Sequence, residues 1–551
     1  MEEVTQHEVV GDIWVTGRVG GAEAGSWGKL WWLALGVVLI LVGCVRWRLL
    51  DAPLERDEGE YAVFGQFLLE GVPPYEQAVN MKLPGIYVIY AGVLAVFGET
   101  ARGIHMGLLV SNLLAGFLAA LLARRLFRSD GAGLTAAAVF LVFTLGWRLQ
   151  GPWANAEAFL LPFAFLAGLL LVKALEAERR VALLALTGLT LGLAVLVKQH
   201  AVFYCVAAGM TLVGWHLLRK DRSMGSLLRE AGVLTGATLV PYVVTVLILM
   251  ACGVFDRFWE WTWVYARSYT GQYGFGDMTT NLARRGPGIL LSTWPLVSLA
   301  LVGVLTLLVR RQTWRIGLSL LVLCLLSFAA ISVGFVYRPH YFQLLAPAVA
   351  LGCAGLVTLR GTTALRWGLG SLVAVAVCYV PFEERDVLFG ITPKELSAGV
   401  YPGNAFDGMP DVGRYLADIV PEGERFAVIG SEPELYFYAD RRPATSYVYT
   451  YALMELQPMA RDMHGEMARE IEEHNPDVLV VVHNPMSWLK REGSETYIWT
   501  WIELYSKNKF YLDGVLLNRR GKSTFYSGDD IRNLRPPQQE VILEVYRRNE
   551  N

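Results

Sequence analysis

Long apolar runs recur through the first two-thirds of this chain, each about as long as a bilayer core is thick. A helix of roughly 17–22 apolar residues crosses about 30 Å of hydrocarbon. Such runs predict spans over 29–46, 103–122, 131–147, 156–172, 181–197, 200–218, 231–251, 288–309, 316–334, 341–358 and 367–382. The 551 residues are 54% hydrophobic and only 18% charged, too apolar for a soluble chain of this length. A formal net charge of -2, with no basic patch interleaved with aromatics, gives nucleic acid nothing to bind.

Basic residues orient the bundle. With the N-terminal tail (1–28) in the cytoplasm, the loops "ARRLFR", "KALEAERR", "LRKDRSMGSLLRE", "RRQTWR" and "RGTTALR" all fall inside, each with two or more Lys or Arg. The segment 83–98 is apolar but short and holds Pro84 and Gly85. Counting it as a span would invert every later loop, so it reads as an interfacial or re-entrant helix. The transmembrane part then covers 29–382, with a long outer loop at 47–102, and 383–551 lie outside. No small-residue cleavage site follows the first span, which reads as an uncleaved anchor. The six cysteines all lie in or beside spans and read as small buried hydrophobes. There is no CxxC, and the eight histidines do not cluster, which argues against structural zinc or haem.

Beyond about residue 404 the pattern changes. "RFAVIG" (425–430), "DVLVVV" (477–482) and "KFYLDGVLL" (509–517) read as strands, and the tail "RPPQQEVILEVYRRNEN" as an added one. Helical patterns at 410–420, 433–440, 452–474 and 486–506 alternate with them. The expected fold is a polytopic α-helical membrane protein with a C-terminal extracytoplasmic α/β domain.

The outer loop holds the densest charge. "LERDEGEYAVFGQFLLEG" (54–71) places Glu55, Arg56, Asp57, Glu58 and Glu60 within six positions. Tyr61, Phe64 and Leu68 then follow at helical spacing, so the stretch predicts a short amphipathic helix at the membrane interface. Asp57 stands where an N-cap belongs, with Glu60 three residues on, as in a capping box. That structural reading competes with a chemical one. Other outer turns bring ionisable groups to the same depth: Lys82 in "NMKLPG", Asn155 and Glu157 in "GPWANAEAF", Lys198 and His200 in "VKQHAVF", and Arg338, His340 and Tyr341 in "YRPHYF". Charge at a membrane boundary is costly unless paired or functional. Carboxylates and cations at one rim suggest a site that handles a phosphate.

The order of these motifs resembles the polyprenyl-phosphate-sugar-dependent glycosyltransferases of the C superfamily, which include protein O-mannosyltransferases and the lipid A aminoarabinose transferase. The carrying pattern is Asp57-Glu58 in the first outer loop, "YA" at 61–62, "KLPG" (82–85), "ANAEAFLLPF" (154–163), "LVKQHAVFY" (196–204) and "HYFQLLAP" (340–347). It covers nearly all of 29–382 and is weaker after 400. In one departure, the aminoarabinose enzyme has an arginine between the acidic pair and the tyrosine. Glu60 stands there in this chain, which leaves Arg56 to supply the charge.

The resemblance implies a sugar carried on a polyprenyl phosphate such as undecaprenyl phosphate, and an acceptor hydroxyl on a glycan, lipid or protein. The setting is the inner (plasma) membrane, with the C-terminal domain on its outer face. Asp57 is then the expected general base and Glu58 the second catalytic carboxylate. Lys82, Lys198 and Arg338 stabilise the leaving phosphate, while Glu157, Asn155, His340, Tyr341, Tyr61 and Arg56 complete the binding site. A divalent cation between Asp57 and Glu157 is a weaker expectation, since candidate cations already abound. No GxGxxG or P-loop appears, which fits a lipid-linked rather than a nucleotide donor. Two other readings compete. A transporter or flippase of lipid-linked sugars would place polar groups near midplane. A scaffold with a glycan-binding outer domain would leave the carboxylate and lysine cluster unexplained. The aromatic patches 434–440 and 446–452 read either as acceptor-stacking surfaces or as core.

Overall fold

The computed structural model describes residues 28–219, 223–359, 361–532 and 534–550. The predicted cytoplasmic tail falls almost entirely outside the described residues. Each of the eleven expected spans coincides with a helix: α1 (Gly28–Arg48), α4 (Ala101–Phe127), α5 (Asp130–Phe143), α6 (Ala156–Glu176), α7 (Val181–Val197), α8 (Val202–Leu217), α9 (Met224–Ala251), α12 (Phe275–Val309), α13 (Trp314–Ile331), α14 (Ala346–Leu356) and α15 (Thr363–Glu383). Among the described residues, eight helices are long and apolar enough to cross a membrane. The helices α5, α7 and α14 are shorter. All of α14 is buried, so it packs against protein rather than lipid.

Between the spans lie α2 (Arg56–Leu69), α3 (Gly85–Phe97), α10 (Phe255–Trp259) and α11 (Ala266–Thr270), the last two joined by a wide π-helical turn at Glu260–Tyr265. The segment 83–98 thus forms a short helix, as expected. Its Ile86, Tyr87, Tyr90 and Leu94 are buried. Gly85 permits the close crossing with α7: a Cβ there would meet the backbone of Leu196 at 2.5 Å.

Helix α2 corrects the sequence reading twice. Its N-cap is Glu55, not Asp57, and the capping box pairs Glu55 with Glu58. It is also no surface helix. Arg56 and nearly every residue from Glu58 to Phe67 are buried, because the C-terminal domain covers the side an interfacial helix would leave to water.

That domain carries a six-stranded mixed sheet of order β2-β1-β3-β6-β4-β5. The strands are β1 (Arg425–Ile429), β2 (Arg442–Pro443), β3 (Val478–Val482), β4 (Phe510–Arg519), β5 (Lys522–Ser527) and β6 (Val541–Arg548). The four strands expected from sequence are present, and the tail strand is β6. The short β2 and the polar β5 carry too little apolar alternation to be read. The helical pattern at 452–474 breaks into Tyr451–Met454 and Ala460–His474. The pattern at 486–506 breaks likewise into Pro485–Trp488 and Tyr497–Ser506.

The domain docks on the first turn of α2. The Arg56 guanidinium lies 2.8 Å from Glu432, donates to Asn404 at 3.2 Å and to the Tyr451 hydroxyl at 3.0 Å, and reaches the Ser431 carbonyl. Gly59 meets the backbone of Glu434, where a Cβ would come within 2.5 Å of its nitrogen. A main chain cannot rotate away, so Gly59→Val should overpack this junction at a cost of about 1–3 kcal/mol. The expected result is a lower Tm and earlier proteolysis within 400–550. Wild-type protease resistance in that variant would show that the domain does not dock here.

Candidate active site

Four segments meet where the helical bundle faces the C-terminal domain. The first turn of α2 supplies Asp57 and Glu60. The stretch before α3 supplies Lys82, whose Nζ lies 2.9 Å from Asp57 Oδ1 and 2.5 Å from Glu60 Oε2. The same ammonium lies 4.5 Å from the centre of the Tyr61 ring and 5.3 Å from that of Tyr449. Burial by itself would lower the Lys82 pKa, but Asp57 and Glu60 outweigh it and keep the ammonium charged. Burial would likewise raise the pKa of Asp57. Lys82, His340, Arg338 and Lys198 overcome it and hold the carboxyl well below the usual range, so Asp57 is ionised at neutral pH.

A second lysine repeats the arrangement. Lys198, just past the end of α7, places Nζ 2.7 Å from Glu157 Oε1 at the start of α6, and 4.8 Å from the centre of the Tyr341 ring. Asp57, Lys82, Lys198, Arg338 and Tyr341 together line a cavity of about 310 Å³. Its apolar wall includes Val202 and Phe203 of α8, Trp261 of the π turn and Ala266. Glu157 stands behind the wall and tethers Lys198. His340 donates from Nδ1 to Gln150 Oε1 at 2.7 Å, and its Nε2 has no hydrogen-bond partner among the described residues. Asn155 is fully buried, and neither of its side-chain polar atoms is hydrogen-bonded among the described residues.

Two expected site residues face elsewhere. Glu58 is walled off from the cavity. Its carboxylate accepts from the backbone of Glu55 at 3.0 Å and of Ala154 at 2.5 Å, and lies 2.9 Å from His105 Nε2. It therefore ties the start of α2 to α4 and to the loop before α6. Arg56 lies outside this cavity and pairs with Glu432 at the domain junction.

The structure adds residues that the sequence reading missed. Glu60, read there as a capping partner, takes Lys82 and the Tyr87 hydroxyl at 3.0 Å. Tyr449, Tyr451 and Glu455 of the C-terminal domain line the same cavity, and the Tyr449 hydroxyl lies 3.3 Å from Asp57 Oδ1. The patch 446–452 is therefore partly site wall, whereas Tyr436 and Phe437 of the patch 434–440 are core. Arg46 of α1, buried and with no carboxylate in ion-pair range among the described residues, donates to the Thr144 and Gly151 carbonyls at 2.7 and 2.9 Å. It holds the loop that carries Gln150 and Asn155. Only the charge of Arg46 inside a span could have pointed to it.

Among the described residues, no three His, Cys, Asp or Glu side chains gather as a metal site. Asp57 and Glu157 each face a lysine ammonium, a donor set that does not suit a divalent ion between them.

Glu60 gives the site a pH dependence. Burial, only partly offset by Lys82, raises its pKa to about 6. Above that pH Glu60 is ionised and shares Lys82 with Asp57. Below it, Glu60 takes a proton and Lys82 turns to Asp57 alone, occupying its lone pair. Activity should therefore fall as pH drops through about 6, and Glu60→Gln should flatten that limb at the lower rate. Persistence of the limb in Glu60→Gln would assign it to another group.

The fold is similar to those of two solved membrane-protein structures. Over 95% of this chain and 98% of the other, it is similar to ArnT from Cupriavidus metallidurans bound to undecaprenyl phosphate, with a TM-score of 0.62 at 14% identity. It is also similar to the Archaeoglobus fulgidus oligosaccharyltransferase tethered with an acceptor peptide containing the NVT sequon. That match covers 92% of this chain and 75% of the other, with a TM-score of 0.53 at 13% identity. The family model described as dolichyl-phosphate-mannose-protein mannosyltransferase matches residues 82–252, which hold Lys82, Asn155, Glu157 and Lys198. A search of curated protein sequences finds no match.

Proposed function

We propose that this chain is an integral-membrane glycosyltransferase that moves a sugar from a polyprenyl-phosphate donor to an acceptor hydroxyl on the extracytoplasmic side, with inversion. One observation carries the reading: an ionised, half-buried carboxylate and three cations line a single cavity whose other wall is apolar. The fold and the match over 82–252 support it.

The prenyl chain lies along the apolar wall by Val202 and Phe203, and its phosphate meets Lys82, Lys198 and Arg338. The acceptor oxygen attacks the anomeric carbon from the face opposite the phosphate. Its proton passes to Asp57 as the carbon–oxygen bond to phosphate breaks. The bonding pair leaves with the phosphate, where fixed cations stabilise it in a site shielded from water. A phosphate is a good leaving group, so no carboxylic acid is needed to protonate it, and the walled-off Glu58 is not missed. Glu157 and Glu60 hold the two lysines in place. The reading uses no divalent ion, because the lysines already neutralise both carboxylates. The charged residues gather at one end of the bundle, which favours transfer over transport.

The test is sugar transfer by the purified full chain in lipid nanodiscs, from radiolabelled undecaprenyl-phosphate sugars to an envelope extract. Labelled product with inverted anomeric configuration is expected. Translocation of lipid-linked sugars in liposomes with no transfer from any donor would replace this reading with the transporter.

A further inference from the structure

A second, larger cavity of about 1030 Å³ lies between the bundle and the C-terminal domain, and it reaches the first at Asp57 and Arg338. Its far wall is built by the segment after β3. Besides Arg338 and Arg56, which Glu432 pairs, three cations line it: Arg285 of α12, and Lys490 and Arg491 of the C-terminal domain. Arg285 and Arg491 are half-buried and Lys490 is exposed; cations withdrawn from water are normally paired with carboxylates. Here Lys490 and Arg491 rest on aromatic rings. Lys490 Nζ lies 4.5 Å from the centre of the Trp499 ring, and the Arg491 guanidinium lies 4.7 Å from that of Tyr273 while donating to its hydroxyl at 2.6 Å. Arg285 donates to the Val336 carbonyl at 2.8 Å. Among the described residues, none of the three has a carboxylate within ion-pair distance.

The acidic groups on the same wall form no ion pair with them, although Glu455 feels the charge of Arg491. Asp57 is held by Lys82, Glu55 closes the capping box, and Glu455 accepts from the Tyr265 hydroxyl at 2.6 Å. Glu503 is at an exposed edge. A ring fixes a cation in position without neutralising it, and this leaves N–H donors aimed into a cavity large enough for several sugar units. Guanidinium and ammonium groups so placed match phosphate or carboxylate oxygens.

Resting on the transferase reading, we infer that this second cavity receives an anionic saccharide acceptor, gripped at its phosphate or carboxylate by Lys490, Arg491 and Arg285. The acceptor hydroxyl then reaches Asp57 from the side opposite the donor phosphate. The C-terminal domain thereby selects the acceptor, while the bundle binds the donor.

The test is equilibrium binding to the full chain in nanodiscs, without turnover. The probes are a plain disaccharide, the same disaccharide with one phosphate monoester, its uronate counterpart, octyl glycosides of each, and an acidic hexapeptide. An anionic disaccharide should bind at least about tenfold tighter than the neutral one. Lys490→Ala/Arg491→Ala should bring the ratio near one, and Arg285→Ala should lower it, with undecaprenyl phosphate binding unchanged in each. Preference for octyl glycosides would point to a lipid-anchored source and preference for free sugars to a polysaccharide, and either supports the inference. Equal binding of neutral and anionic sugars, an unchanged ratio in both variants, or tighter binding of the peptide would overturn it. A chain that prefers the anionic sugar but transfers nothing would count against the transferase reading and leave this inference standing.

Discussion

Asp57→Asn is expected to lower kcat/KM for sugar transfer by about 10²–10⁴-fold, the range of a lost general base. Asparagine keeps the size of the side chain and an oxygen for Lys82, whose other partner, Glu60, remains. The cations that line the donor cavity are untouched, so the Kd for undecaprenyl phosphate should stay within a few-fold of wild type. That split separates a base from a helix cap. Asp57 is not the cap: Glu55 is, and the substitution leaves its capping box intact. A variant that transfers within tenfold of wild type would move the search to Glu455, the other carboxylate that lines the cavity.

Lys82→Met should cost about 10²–10³-fold in kcat, as losing a preorganised donor to a developing oxyanion does elsewhere. It has a second signature. Lys82 is the chief influence holding Asp57 below the ordinary carboxylate range against the effect of burial. Without it the Asp57 pKa rises, so the base is protonated over a wider acid range and the rate profile shifts to higher pH. Lys82→Arg should restore charge and part of the rate and return the profile toward wild type. An unshifted profile in Lys82→Met would mean that Asp57 does not set the rate.

The hydropathy pattern and the positions of Lys and Arg were enough to read eleven helices and the α/β unit, because apolar periodicity is a property of each segment alone. Capping in α2 was not legible. Glu55/Glu58 and Asp57/Glu60 satisfy the same acid-x-x-acid spacing two residues apart, and local sequence does not choose between them. Tertiary contact does: His105 and the Ala154 amide claim Glu58, while Lys82 claims Asp57 and Glu60. The site itself was half legible. Lys82, Lys198 and Arg338 stood out as charges at one rim. Tyr449, Tyr451 and Glu455 lie almost 400 residues from Asp57, and nothing in their spacing links them to it. Arg56 misled because its charge reads alike whether it faces a phosphate or Glu432.

One turn of α2 presents Arg56 and Gly59 to the C-terminal domain and Asp57 and Glu60 to the reaction. Residues one apart on a helix are separated by a rise of about 1.5 Å, so a tilt imposed on the junction is delivered to the carboxylates almost undiminished. The C-terminal domain is thus not a detachable module. A chimaera that keeps the bundle but borrows a foreign domain would need to match the Glu434 backbone and the Glu432 carboxylate before any question of acceptor choice arose.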